Sequence, residues 1–478
     1  MLKKLKKALN QPASYLSLIL LLAFFVRLYK INNPVADWHS FRQADTASVT
    51  REYVKADKID LLRPHYQDLS NIQSGLDNLD GYRMVEFPFV NAFLAIFLRT
   101  FKNLDLVLFS RLSSVFISLG TILVLYKLVK EFSGTKTALL TALVYTLLPY
   151  SIYYSRVILP EPYFLFFSTL SIWQFYLFAK KRNLSHYLFS IINLALAALL
   201  KPFVVFLAPV YLVIIWQFRQ NKIWKNPLIY LLPVLAFTPM LLWREWIKNF
   251  PSGIPVSDWL FNGNDIRFRP AWFRWLFYER LSKLFLGYFG LVFLLSNLWK
   301  KGQDFYLYAA WWLAVLLYFI VIATGNVQHD YYQNFILPIV AISVARGIVV
   351  INEKLSKKIA WPIIFCFALG GLFFSWQQIA GYFSVNHWEY IKAGQIADKK
   401  IAHDALVIAP AMGDTQFLFQ TNRRGWPIGF EIEDKIKKGA SAYVSANYDW
   451  EAKALEEKYQ TIIKNNDVII IDLKAPKP

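Results

Sequence analysis

The chain has 478 residues, of which 56% are hydrophobic and 18% aromatic, while only 18% carry a charge. Soluble domains usually have about 25% charged residues, so the composition excludes an ordinary soluble protein and indicates a polytopic membrane protein. The net charge of +20 comes largely from short basic clusters between apolar runs. Such clusters mark cytoplasmic loops, and no nucleic-acid partner is expected.

Apolar runs of about 20 residues, each able to cross a bilayer, recur along the chain. The first covers about 14–30 and follows Lys3–Lys7 without a small-residue cleavage site, which predicts an uncleaved span and a cytoplasmic N-terminus. Further spans are predicted at roughly 107–127, 137–152, 162–179, 185–200, 203–218, 227–243, 281–299, 305–323, 333–351 and 360–378. The chain is therefore expected to have about 11 transmembrane helices in the inner cell membrane and to end outside.

The orientation follows from the loops that hold the basic residues, because lysine and arginine are enriched on the cytoplasmic side. The clusters are Lys127/Lys130/Lys136, Lys180/Lys181/Arg182, Arg219/Lys222/Lys225, Lys300/Lys301 and Lys354/Lys357/Lys358. Counting the run 87–101 as a span would put nearly all of the later clusters outside. We therefore interpret 87–101 as an interfacial or re-entrant helix on the external face.

Two long external loops follow from this topology. The first, 31–86, carries nine acidic and six basic residues in a chain that is otherwise strongly basic, and 46–57 is expected to form a helix along the surface. The second, 244–280, is rich in tryptophan and arginine, which suit the headgroup level. We interpret it as a lid or rim.

A change of composition near residue 385 divides the chain into a transmembrane domain, 1–384, and an extracytoplasmic domain, 385–478. The domain 385–478 has thirteen basic and thirteen acidic residues. Strands are predicted at 405–409, 416–419, 442–445 and 467–471, with helices at 431–438 and 449–459. This alternation predicts a small α/β domain, to which no catalytic role is assigned. The single cysteine, Cys366, excludes disulfides and cysteine-ligated metals and is expected to be buried.

Polar residues gather on the predicted external face. Such groups at membrane depth tend to be functional or to pair with each other, and they suit a site that activates a hydroxyl and holds an anion. The candidates are Asp37, His39, Arg42, Asp45, Glu86, Glu161, Lys201, His329 and Tyr332. Each has a plainer explanation as well: Asp37 or Asp45 could only cap the helix near Thr46, and Lys201 could only extend to the headgroups.

The stretch Trp38-His39-Ser40-Phe41-Arg42-Gln43-Ala44-Asp45-Thr46 resembles the first-loop motif of bacterial membrane glycosyltransferases of the GT-C fold. These are similar to protein O-mannosyltransferases and to the aminoarabinose transferase of lipid A, and the resemblance is of the kind seen in glycosyltransferase family 39. The resemblance continues through Glu86-Phe87-Pro88, Tyr154-Ser155-Arg156, Pro160-Glu161-Pro162, Leu200-Lys201-Pro202 and His329-Asp330-Tyr331-Tyr332. It implies a GT-C-like fold, a polyprenyl-phosphate sugar donor and an essential first-loop carboxylate.

The chemistry of such a transfer assigns roles to these residues. One carboxylate accepts the proton of the acceptor hydroxyl; Asp45 is our choice and Asp37 the rival. Arg42 and Lys201 are candidates for binding the departing phosphate, with His39 or His329 assisting and Tyr332 beside them. Glu161 and Glu86 could bind sugar hydroxyls, position Lys201 or help to hold a divalent cation. No cofactor is otherwise predicted.

We therefore expect a glycosyltransferase that moves a hexosyl or pentosyl group to a lipid, glycan or protein acceptor outside the membrane, by an inverting single displacement. Membrane lipids are further expected partners. The alternative is a transporter or flippase of a lipid-linked substrate, but the paired repeats typical of transporters are not visible. A third possibility is a non-catalytic lipid-binding scaffold whose external α/β domain is the working part, but that domain lacks any concentrated motif.

Overall fold

The computed structural model describes residues 11–299, 302 and 304–478. The basic residues Lys3–Lys7 and Lys300/Lys301, which entered the topology prediction, lie outside the described residues. The chain forms two compact units. The first contains the described residues up to Ile31 together with Leu112–Trp243 and Ser257–Gly381. The second contains Asn32–Arg111, Arg244–Val256 and Tyr382–Pro478, so the first predicted external loop and the C-terminal segment share one unit.

The chain is mostly helical. Its α-helices are Pro12–Arg27, Ser40–Lys55, Phe89–Thr100, Leu106–Leu147, Pro149–Tyr154, Glu161–Lys181, Leu184–Leu200, Ala208–Gln217, Leu228–Ile247, Trp259–Asn262, Pro270–Phe273, Leu291–Ser296, Phe305–Val321, Ala323–Gln328, Leu337–Lys354, Lys357–Ile379, Trp388–Lys400, Thr415–Gln420, Ile432–Lys437 and Trp450–Lys458. A π-helix covers Arg274–Phe285, and 3-10 turns include Pro202–Leu207, Arg219–Asn221, Ile223–Lys225, Pro251–Gly253, Asn297–Trp299, Asp330–Ile336 and Ala380–Phe383.

Several of these helices suit a membrane. Within the described residues, four helical stretches are long and apolar enough to cross a bilayer: Leu106–Leu147, Leu228–Ile247, Asp330–Lys354 and Lys357–Lys400. Five shorter apolar helices accompany them. Apolar helices of this kind fit a membrane protein, while the count of about 11 crossings and the orientation stay predictions.

The span predicted at 107–127 and most of the span predicted at 137–152 form one helical stretch, Leu106–Leu147, with a break at Gly134; the last residues of the second span lie in the helix Pro149–Tyr154. Gly134 has φ 79°, in the left-handed region that glycine adopts without a side-chain clash. The run predicted as interfacial forms the helix Phe89–Thr100. Its 12 residues extend about 18 Å, well short of the roughly 30 Å hydrocarbon core. This helix packs on Ser40–Lys55, where Asn91 Nδ2 donates to the Thr46 carbonyl at 2.8 Å.

Cys366 corrects one sequence prediction, because the thiol is exposed rather than buried. It lies on the helix Lys357–Ile379, whose outward face also exposes Trp361, Phe365 and Phe373. An apolar residue on a membrane helix can face lipid, so an apolar run alone does not show which side chains are buried.

The second unit holds a five-stranded sheet of order β2-β1-β3-β5-β4. The strands are β1 Leu406–Ile408, β2 Arg424–Trp426, β3 Ala440–Ser445, β4 Tyr459–Lys464 and β5 Ile469–Pro476. Strands β2, β1 and β3 are parallel, and β5 is antiparallel to both β3 and β4. Alternate residues pack on opposite faces, with Val407 and Val444 in one apolar cluster and Ile408 and Tyr443 in the other.

The strand predicted at 416–419 is wrong: Thr415–Gln420 is a helix. Asp414 provides the physical reason, because its side chain accepts a hydrogen bond from the Gln416 amide at 2.7 Å and so caps the helix. The run Phe417-Leu418-Phe419 is buried throughout. A short buried helix and a short buried strand have the same apolar pattern.

In the first unit, Gly347 on the helix Leu337–Lys354 lies against the backbone of Phe293. A Cβ atom on Gly347 would come within 1.8 Å of the Phe293 carbonyl oxygen. We predict that Gly347→Ala lowers the thermal unfolding midpoint of the detergent-purified protein, at a cost of roughly 1–3 kcal/mol or more from overpacking. Gly381→Ala is the matched control, because nothing lies within 4 Å of its added methyl group. An unchanged midpoint for Gly347→Ala would contradict this close approach.

Candidate active site

In the second unit, the first-loop motif forms the helix Ser40–Lys55. The helix starts after His39, whose φ of 55° turns the chain, and the His39 carbonyl accepts the Arg42 and Gln43 amides at 3.1 and 3.2 Å. Arg42 and Asp45 are three residues apart and share one helix face. Asp45 thus lies inside the helix rather than at its N-terminus, which removes the capping explanation for it.

The Asp45 carboxylate receives donors from three segments of the second unit. Oδ1 accepts the Thr415 hydroxyl at 2.8 Å. Oδ2 lies 3.2 Å from Gln73 Nε2 and 3.1 Å from Arg83 Nη2. Asp45 is 2% exposed, but Gln73 is half-buried. The carboxylate therefore lies just beneath side chains that reach the surface.

Arg42 forms an ion pair with Glu86, so the structure joins two of the residues predicted for the site. Their side chains are 8% and 16% exposed, respectively. His39 is half-buried, with its ring 5.1 Å from that of Trp38, and Trp38 stacks on Tyr382 at 4.8 Å. A cation, a carboxylate and an imidazole thus occupy the N-terminal end of this helix.

Asp37 is held differently from Asp45. Arg111 Nη2 lies 3.2 and 3.3 Å from its two oxygens, and Gln43 Nε2 donates to Oδ1 at 2.7 Å. The Asp37 and Arg111 side chains are both 0% exposed. Breaking a buried pair by removing one partner costs about 3–5 kcal/mol, so this ion pair fixes the chain just before the helix.

In the first unit, Glu161, Lys201 and Tyr332 come together. Glu161 is the first residue of its helix and Lys201 follows the end of Leu184–Leu200. Lys201 Nζ is 3.2 Å from Glu161 Oε1 and 5.8 Å from the centroid of the Tyr332 ring. Glu161 Oε2 is buried and accepts no hydrogen bond from any described residue. A buried acceptor without a donor is costly, so this oxygen suits a hydroxyl ligand.

The segment after Gln328 forms a second polar cluster in the first unit. Tyr154 Oη donates to Asp330 Oδ1 at 2.6 Å, and Arg280 Nη1 lies 3.9 Å from Asp330 Oδ2. His329 is half-buried, and its ring is 5.3 Å from that of Tyr331 and 5.5 Å from that of Trp259. His329 and Tyr332 therefore lie within two residues of the buried Asp330 along the chain.

A divalent cation has no evident ligand set here. Across residues 11–299, 302 and 304–478, no group of three histidine, cysteine, aspartate or glutamate side chains could hold a metal ion. The two glutamates suggested for this role, Glu86 and Glu161, each pair with a cationic side chain instead. These residues do not fit a metal.

The structure also shows residues that the sequence interpretation missed. Arg111 is a lone arginine in an apolar helix, and that position was itself a signal of a paired charge. Arg83 is one of few cations in an acidic loop, which is a weaker signal. Thr415 is 370 residues from Asp45 and gave no signal at all.

Burial shifts the acid–base behaviour of Asp68, near Asp45 in the same unit. Desolvation raises the pKa of the Asp68 carboxyl to about 6, against the amide and hydroxyl of Ser70, which lower it. Desolvation likewise raises the pKa of the Tyr66 phenol well above its usual range. Burial makes a carboxyl easier to protonate, and at Asp68 this effect outweighs the nearby Arg83, which lowers the pKa.

Sequence comparison gives a family match for part of the chain. Residues 86–243 match the family described as dolichyl-phosphate-mannose-protein mannosyltransferase. No curated protein sequence matches the chain.

Solved structures match nearly the whole chain. ArnT from Cupriavidus metallidurans, bound to undecaprenyl phosphate, is 12% identical, with 96% of this chain and 98% of that chain covered and a TM-score of 0.65. The chain has the GT-C fold. The oligosaccharyltransferase of Archaeoglobus fulgidus, in complex with Zn and sulfate, is 10% identical, with 91% of this chain and 68% of that chain covered and a TM-score of 0.59. AglB from the same organism, in complex with an inhibitory peptide and a dolichol-phosphate, is 11% identical, with 95% of this chain and 72% of that chain covered and a TM-score of 0.58.

These matches confirm the resemblance to GT-C membrane glycosyltransferases that the sequence motifs predicted. At identities of 10–12% they show the GT-C fold, and the roles of individual residues stay predictions.

The raised pKa of Asp68 predicts a pH-dependent stability. Between about pH 4 and 6 the folded protein holds a proton that the unfolded chain has lost, so stability falls as pH rises through this window and is level above it. The change is on the order of 2–3 kcal/mol. Thermal unfolding at several pH values should show that Asp68→Asn loses this slope relative to wild type. Asp404→Asn, at an exposed position, should keep it; an identical slope in all three proteins would contradict the assignment.

Proposed function

We propose that the chain transfers a sugar from a polyprenyl-phosphate donor to an acceptor hydroxyl on the external face of the membrane, with inversion of the anomeric carbon. The observation that carries the proposal is the fold match, over 96% of the chain, to a protein bound to undecaprenyl phosphate. The mannosyltransferase family match supports the same class of donor. The buried polar side chains supply groups with the required chemistry.

Asp45 is the proposed general base. As the acceptor oxygen attacks the anomeric carbon, its proton passes to the Asp45 carboxylate, and the bond between that carbon and the phosphate oxygen breaks with its electron pair. The lipid phosphate departs as a stable anion, so no strong acid is needed. Thr415, Gln73 and Arg83 each hold an oxygen of Asp45 and so fix the direction of its remaining lone pairs.

Asp37 is the proposed positioning residue. Both of its oxygens face Arg111, and neither side chain has any exposed surface. A base must reach its substrate, and Asp45, whose partner Gln73 is half-buried, meets this condition better than the closed Asp37–Arg111 pair. This contrast in burial and partners is the reason to prefer Asp45.

Lys201 and Arg42 are the proposed phosphate-binding cations, each held by a glutamate. A fixed cation stabilises negative charge that grows on a leaving group. Glu161 holds Lys201 through Oε1, and its second oxygen, Oε2, can accept a sugar hydroxyl. His39 is proposed to assist Arg42 in the second unit, and His329 and Tyr332 are proposed to assist Lys201 in the first unit.

The experiment is turnover of defined polyprenyl-phosphate sugars by the purified protein, comparing wild type with Asp45→Asn and Asp37→Asn. Asparagine keeps the shape but is a far weaker proton acceptor, so Asp45→Asn should lower kcat by about 10²–10⁴-fold with little change in KM. Asp37→Asn should lower the thermal unfolding midpoint in addition to the activity, because it leaves Arg111 buried opposite a neutral group. Asp57→Asn, at an exposed position two residues beyond the end of the same helix, is the control.

Two outcomes would overturn parts of this proposal. Full activity of Asp45→Asn, with Asp37→Asn folded but inactive, would make Asp37 the base. Wild-type protein that consumes no donor with lipid, glycan or protein acceptors would argue against the transferase function.

A further inference from the structure

An apolar groove of about 520 Å³ runs through the first unit. It is formed by the helices Leu106–Leu147, Leu291–Ser296, Leu337–Lys354 and Lys357–Ile379. Its walls are almost wholly apolar, with side chains such as Leu140, Leu143, Phe293, Val344, Ile348 and Phe367. The catalytic residues proposed above are not among its lining residues.

One end of the groove carries the few polar lining groups. Lys136 and Asn352 line it there, together with Trp361, which is 60% exposed. Lys357 and Lys358 precede Trp361 by four and three residues and so share its helix face. Tryptophan and lysine together are typical of the headgroup level of a membrane, so this end marks a membrane surface. The basic loops predict that it is the cytoplasmic one.

The depth of the groove matches one leaflet. From Trp361 to Leu372 its lining follows a single helix for eleven residues, which is about 17 Å at 1.5 Å per residue. Half of the hydrocarbon core is about 15 Å. A single chain that starts at the headgroup level and ends near the bilayer midplane would fill this groove.

We propose that the groove binds one acyl chain of an anionic phospholipid, whose headgroup phosphate lies against Lys136 and the lysines beside Trp361. Three features of the groove support this occupant. The walls accept only an apolar chain, the depth is that of one leaflet, and the lysines at the open end attract a negative headgroup. This lipid site is separate from the donor-binding role proposed for Lys201 and Arg42.

The test measures lipid retention by native mass spectrometry of the full-length protein in detergent, with added phosphatidylglycerol, phosphatidylcholine of the same chains, or polyprenyl monophosphate. Phosphatidylglycerol should be retained and should raise the unfolding midpoint more than phosphatidylcholine does. Ala368→Trp places a large side chain into the groove and should lower phosphatidylglycerol retention at least tenfold. Leu369→Trp, on the same helix at a position 50% exposed and outside the lining, should retain it.

A second variant, Lys136→Gln, tests the headgroup contact without disturbing the fold, because Lys136 is exposed and its replacement leaves the packing unchanged. Lys136→Gln should weaken the binding of phosphatidylglycerol about fivefold, as the headgroup attraction of one lysine predicts. Lys130→Gln, on the part of the helical stretch before the break at Gly134, should leave that binding unchanged. Equal retention of both phospholipids, or no loss in Ala368→Trp, would overturn the proposal. Retention of polyprenyl monophosphate alone, lost in Ala368→Trp, would show instead that the groove holds the donor chain.

Discussion

Three segments of the second unit meet at one carboxylate, that of Asp45. The helix Ser40–Lys55 carries it, the first loop supplies Gln73 and Arg83, and Thr415 supplies a hydroxyl from far along the chain. The same loop also pairs with the edge of the sheet, where the Leu69 amide donates to the Gly425 carbonyl at 2.8 Å. The first loop and the C-terminal segment are therefore one structure, and the position of Asp45 depends on both.

A chain this apolar can hold charges in its interior only if each finds a partner, because an unpaired buried charge is very costly. The buried ion pairs follow this rule in both units: Asp37–Arg111, Asp45–Arg83, Glu161–Lys201 and Asp304–Arg346. Where a pair leaves an oxygen without a donor, as at Glu161 Oε2, a ligand hydroxyl can complete the set. Stability and ligand binding thus use the same buried charges.

The sequence predicted those features that depend on local pattern. The apolar runs located the helices, among them the short helix Phe89–Thr100. The motif around Asp45 falls within reach of sequence reasoning, because Arg42 and Asp45 are three residues apart and share a helix face. The pairing of Arg42 with Glu86 joins residues 44 apart and has no such local signal. Partners such as Thr415 come from distant segments and have no local signal. The strand predicted at 416–419 failed for a related reason, since a short buried run fits a helix equally well.

The fold match and the buried carboxylates together lead to one central claim, that the protein breaks the bond between a sugar and a polyprenyl phosphate. The most direct measurement is nuclear magnetic resonance of a reaction in liposomes, following the phosphorus of the donor and the anomeric proton of the product. The account predicts free polyprenyl monophosphate in a one-to-one ratio with a glycosylated acceptor of inverted anomeric configuration. A product of retained configuration would contradict the single displacement, and an intact donor moved across the bilayer would show a transporter instead.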